Sequence, residues 1–82
     1  MSERVNTKRV GQEFGMAIRR RRHKLGLSQE DFADRADIHR TYISSIELGK
    51  VDVGIGVAYK LAKALGIPLS KLLKEAEGCL QD

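Results

Sequence analysis

The sequence predicts an all-α domain of five helices and no strands. Two observations predict it. Apolar residues recur on one helical face in successive stretches, and those stretches are separated by Gly26, Asp37, Gly49, Gly66 and Pro68, residue types that close or open helices. A chain of 82 residues is enough for one domain.

The first nine residues, MSERVNTKR, are polar and without a sustained period, which predicts a flexible arm over 1–9. A first helix follows over 10–25, with Val10, Phe14, Ala17, Ile18 and Leu25 on one face and Gly26 as a left-handed C-cap. Arg21 interrupts that stripe, so its stem must lie over the core while its head reaches water.

The start of the second helix carries the strongest local signal in the chain. Ser28 is placed to cap it, Asp31 stands three residues on as the partner in a capping box, and Leu27 can staple onto Phe32. About eight residues later, with Phe32, Ala33 and Ala36 inward, Asp37 supplies a residue type that tolerates positive φ.

The third helix is predicted over 39–47, with Ile43 and Ile46 inward, Ile38 just before it and Leu48-Gly49 at its end. Residues 49–56 read as a loop. The fourth helix, over 55–65, buries Val57, Ala58, Leu61 and Leu65, and Gly66 ends it. Pro68 opens a fifth, carrying Leu69, Leu72, Leu73 and Ala76. The domain proper is thus expected over 10–78, with 79–82 as a tail.

Composition narrows the function. Only 5% of residues are aromatic and there is no Trp, so the core is aliphatic and thin enough for a partner subunit to add burial. The net charge of +4 is unevenly placed: residues 1–50 hold 11 Lys/Arg and 7 Asp/Glu, and residues 51–82 hold 4 of each. A basic half suits a polyanion, because each phosphate neutralised releases condensed counterions. One cysteine, Cys79, and the lack of any long apolar run predict a reduced, cytoplasmic protein with no membrane contact.

Two short helices joined by a turn of about three to four residues meet the requirements of a helix-turn-helix. Ala33 permits the close crossing, and Ile38, Ile43 and Ile46 face it. The outward face of the third helix is then Arg40, Thr41, Ser44 and Ser45, with Tyr42 on its flank. Such groups suit the major groove: Arg grips guanine, Thr offers a methyl to thymine and Ser bonds either edge. The competing reading is an ordinary solvated helix face.

The segment GLSQEDFA (26–33) followed by RTYISSIELGK (40–50) resembles the phage-repressor-like, XRE-type helix-turn-helix family, and the match extends over about 14–73. Within it, RTYIS, SIE, the small size and the lack of an effector domain resemble the controller proteins of restriction-modification systems.

The resemblance implies a five-helix lambda-repressor-like fold. It also implies that Gln29 bonds a DNA phosphate and braces the recognition helix. A partly buried ion pair between Arg22 and Glu47 is implied too, with Arg22 presented near the DNA backbone. Ser28, Tyr42 and Lys50 complete the expected backbone contacts. Two departures stand out. Residues 53–56 lack the usual proline and Ser/Thr cap, and Asp37 stands where Gly is common.

Leu69, Leu72, Leu73 and Ala76 exceed what one small helix needs, so the last helix is the expected seam of a homodimer reading half-sites roughly 34 Å apart. His23, His39 and Cys79 are widely separated, and no phosphate loop or nucleophile elbow occurs. No metal, cofactor, small-molecule ligand or enzymatic activity is therefore expected.

The function read from the sequence is a DNA-binding regulator of transcription acting on a pseudo-palindromic operator in double-stranded DNA, with RNA polymerase as a further possible partner. The rivals are a phage-type repressor or antitoxin, and a helical interaction module that binds an acidic protein instead of DNA.

Overall fold

In the computed structural model, which describes residues 4–80, the chain runs through α1 (Thr7–Lys24), α2 (Gln29–Ala36), α3 (Arg40–Glu47), α4 (Ile55–Leu65) and α5 (Leu69–Gly78). No strand occurs among the described residues. Helix α1 is the spine: α5, α3 and α4 pack against it, and α2 lies against α3 and α4.

One core joins the five helices. Phe14, Ala17 and Ile18 of α1 meet Phe32 and Ala33 of α2, Ile43 and Ile46 of α3, Ala58, Leu61 and Leu65 of α4, and Leu72 and Ala76 of α5. Phe32, Ile18, Ile43, Leu61 and Leu72 are fully buried. At about 1.5 to 3 kcal/mol for each large side chain removed from water, these contacts are what make eight-residue helices persist.

The ends of α2 follow their local chemistry. The Ser28 hydroxyl oxygen accepts the Asp31 N–H at 3.0 Å, and Leu27 packs against the core. Asp37 takes φ 57° and ψ 48°, and the turn closes as Ile38 N–H donates to the Ala33 carbonyl at 3.0 Å.

Helix α1 starts earlier than its apolar period. The Asn6 side chain accepts the Arg9 N–H at 3.1 Å, so a polar cap sets the boundary and Thr7 to Arg9, expected in the arm, are helical. Residues 1–3 of that arm and residues 81–82 of the expected tail lie outside the described residues. Val10 and Leu25 are 40% and 47% exposed. The buried part of α1 runs only from Phe14 to Arg22, which leaves both of them beyond its ends.

Arg21, the interruption in the stripe, turns toward α5. Its Nε donates to Glu75 Oε1 at 3.1 Å and its Nη2 bonds Glu75 Oε2. Hydrogen bonding from Arg21 holds the Glu75 carboxyl below the usual carboxylate range. Partial burial opposes this, and the charges of Arg21, Lys71 and Arg20 reinforce it.

The expected dimer seam needs correction. Leu72 and Ala76 are 0% and 3% exposed within the single chain; they belong to the intramolecular core because α5 closes over α1 and α4. Leu69 is half-buried, and Leu73 alone of the four is exposed.

Helices α1 and α3 approach at Gly15. A Cβ there would stand 2.1 Å from the Ile46 carbonyl oxygen and 2.9 Å from that of Glu47. Four residues earlier, a Cβ on Gly11 would meet only Asp52 Oδ1, at 3.7 Å.

Chemical denaturation is therefore expected to separate the two glycines. Gly15→Ala should cost about 3 kcal/mol or more, because backbone must move, whereas Gly11→Ala should be neutral or stabilising by up to about 1 kcal/mol from helix propensity.

A second prediction concerns acid. Since the folded pKa of Glu75 lies below its unfolded value of about 4.3, its contribution is full above that value and disappears as pH falls through the folded one. Melting curves from pH 6 to 2.5 should show Glu75→Gln losing less stability on acidification than the wild type.

Candidate nucleic-acid interface

The site is the exposed side of α3, and its geometry depends on how the other side is held. Ile43 and Ile46 are 0% and 2% exposed, and Ile38 packs against the same core. With these turned inward, Arg40 and Thr41 are exposed at the start of the helix. Ser44 and Ser45 are half-buried, and Tyr42, also half-buried, packs against the core. Lys50 is exposed. It follows Gly49, whose φ of 71° ends α3, and its N–H closes on the Ser45 carbonyl at 3.0 Å.

The end of α3 is fixed by a buried ion pair. Arg22 Nε donates to Glu47 Oε2 at 2.7 Å and Nη2 to Oε1 at 2.9 Å, with the two side chains 8% and 3% exposed. Arg22 Nη1 donates to the Leu27 carbonyl at 2.8 Å, and Gln29 Nε2 donates to Glu47 Oε1 at 3.2 Å. Hydrogen bonding to Glu47 raises the Arg22 pKa above its ordinary value, against the opposing effect of burial.

This arrangement changes the expected role of Arg22. Its guanidinium is enclosed and committed to Glu47 and Leu27, so it braces α3 and does not stand at the DNA surface. Gln29 spends one amide proton on the same carboxylate. Its bracing role is visible in that bond, and only its second N–H could address a phosphate.

At the other end of α3, His39 is the N-cap. Its Nδ1 accepts the Thr41 backbone N–H at 3.1 Å, and Thr41 Oγ1 lies 2.6 Å from the same nitrogen. Around Ser28, the hydroxyl oxygen is occupied by Asp31 N–H while its proton remains to be donated.

Sequence reasoning did not find Gly15, and it named neither the Glu47 partner through which Gln29 braces α3 nor the Thr41 partner of His39. Gly15 had a readable signal, since a glycine inside a long helix costs about 1 kcal/mol and implies a packing reason. The other two join groups whose meeting depends on side-chain rotamers. Among the described residues no group of three or more His, Cys, Asp or Glu is placed to hold a metal ion, and no helix is long and apolar enough to cross a membrane.

Comparison with known proteins places this geometry. The helix-turn-helix family model matches residues 18–72. The control protein C.MunI of Mycoplasma sp is 45% identical over 65 residues, covering 78% of this chain and 88% of its own. The chain belongs to the helix-turn-helix controller family.

Solved controller structures agree in fold. The restriction-modification controller C.AhdI of Aeromonas hydrophila superposes with a TM-score of 0.73 at 36% identity, over 74% of this chain and 92% of that one. The controller C.Esp1396I, solved as a tetramer on its natural 35 base-pair operator, gives 0.73 at 28% identity, over 83% and 95%.

Removing one partner of the buried pair should act on folding. In urea titrations Glu47→Ala is expected to lose about 3 to 5 kcal/mol, because the Arg22 charge would be left enclosed and unpaired. Lys50→Ala, on an exposed side chain, should stay within about 0.5 kcal/mol of wild type.

Proposed function

We propose that the chain is a homodimeric, sequence-specific DNA-binding regulator that controls transcription of a restriction-modification system from a pseudo-palindromic operator. The observation that carries this reading is a polar pair, Arg40 and Thr41, exposed at the start of a helix whose opposite face is anchored by Ile43, Ile46 and the Arg22–Glu47 pair. Controller relatives support the biological setting, and the C.Esp1396I assembly on its operator supports the ligand.

Arg40 and Thr41 read base edges, with Ser44 and Ser45 behind them along the groove. Ser28, Gln29, Tyr42 and Lys50 hold the phosphates and set register. Occupancy of the operator then recruits RNA polymerase or excludes it.

The dimer surface is the apolar strip that α4 and α5 leave outside the core. Tyr59 and Leu69 line one shallow hollow with Ile67 and Pro68. Ile55, one turn before Tyr59, is 75% exposed, and Leu73, one turn after Leu69, is 43% exposed. A second copy seated there buries what one chain leaves wet.

The test compares a duplex carrying the DNA upstream of the chain's own gene with a scrambled duplex, by fluorescence anisotropy at two salt concentrations. Arg40→Ala should weaken binding to the upstream duplex by about tenfold to a hundredfold and leave the scrambled one nearly unchanged. Equal wild-type affinity for both duplexes at both salts would refute the assignment.

A further inference from the structure

We propose that His39 sets the hydrogen-bonding sense of Thr41, so that Thr41 reads an exocyclic amino group, adenine N6 or cytosine N4, and not a base acceptor. The inference rests on the DNA-reading function proposed above and goes beyond it by naming the base edge and the residue that selects it.

The argument is one of proton accounting. The Thr41 backbone N–H can only donate, and it stands 3.1 Å from His39 Nδ1; that nitrogen therefore carries a lone pair and no proton. The ring is the neutral tautomer with its proton on Nε2. Thr41 Oγ1 lies 2.6 Å from the same Nδ1. Since Nδ1 has no proton to give, the hydroxyl must be the donor.

A hydroxyl has one proton and two lone pairs. With the proton turned back toward the imidazole, an exposed Thr41 presents only lone pairs and its methyl group outward. Guanine offers O6 and N7 and thymine offers O4, all acceptors, while adenine N6 and cytosine N4 carry N–H donors. Only the amino groups match. The bond to the ring also fixes the Thr41 rotamer before DNA arrives, which lowers the entropy lost on binding. His39 is thus a positioning residue, acting on the base through Thr41.

The experiment begins by selecting duplexes from a pool randomised over about 20 base pairs and locating, with Thr41→Val, the base pair at which the hydroxyl matters. At that pair, purine in place of adenine, or 2-pyrimidinone in place of cytosine, removes the amino group. A 7-deazapurine removes the N7 acceptor instead.

For wild type the amino deletion should cost about fivefold in affinity, the worth of one net hydrogen bond, and the 7-deaza change less than about twofold. His39→Asn, whose side-chain oxygen can accept both Thr41 protons, should keep this pattern. His39→Ala should bring the two losses to within about twofold of each other, whatever its overall affinity.

Three results would overturn the inference while leaving the DNA-binding function in place: no position responding to Thr41→Val, a 7-deaza loss equal to the amino loss in wild type, or the wild-type pattern persisting in His39→Ala. Failure of the wild-type protein to enrich any sequence from the pool would overturn both.

Discussion

A guanidinium and a carboxylate enclosed together decide where α3 sits. Taking Arg22 and Glu47 out of water costs several kcal/mol for each ion, and their attraction offsets this only with good geometry and satisfied remaining groups. Both conditions are met: the pair is bidentate at 2.7 and 2.9 Å, the Leu27 carbonyl takes another Arg22 proton, and the Gln29 amide adds a donor to Glu47. Such a pair contributes direction more than net stability. Only one placement of α3 against α1 and α2 satisfies all four bonds, and any other leaves a buried charge alone.

That placement would be sterically impossible without Gly15. The α3 carbonyls at Ile46 and Glu47 occupy the space where any other residue would carry its Cβ, so the helices can come near enough for a short, direct ion pair. The absent side chain and the buried charges are therefore one device. An isolated helix of eight residues is unstable in water. Here the Ile43 and Ile46 contacts, the His39 cap and the Glu47 anchor replace the length that α3 lacks.

Much of this was legible in the sequence, because it is written in residues close together along the chain. The Ser28 cap, the positive φ at Asp37 and the inward isoleucines each depend on spacings of a few positions, and each of these three features fell where its spacing put it. Long-range partnerships were not legible. Arg21 looked like a flaw in an apolar stripe because Glu75 lies 54 residues away. Leu72 and Ala76 share a helical face with genuine surface residues, and only the packing of α5 on α1 decides which are covered. Charge counting overstated the free positive surface for the same reason: in the basic run of residues 19–22, Arg21 and Arg22 are both paired with carboxylates. The start of α1 escaped the periodicity because a polar cap at Asn6, and no apolar residue, determines it.

The two paired arginines are neighbours in sequence, and this has a mechanical consequence. Successive residues on a helix point about 100° apart, so Arg21 reaches α5 while Arg22 reaches α3. In the proposed dimer, α5 lies at the subunit contact and α3 lies in the groove, and one turn of α1 connects them through a charge pair on each side. In such a dimer the distance between the two α3 helices would be carried through the packing of α3 and α5 on α1, where Arg22–Glu47 and Arg21–Glu75 each join α1 to one of them. A reader of two half-sites needs that distance held constant, since an error at the seam is carried undiminished to Arg40 and Thr41. Two of the four arginines in the basic run thus act inside the subunit, one tying α1 to α5 and the other tying it to α3.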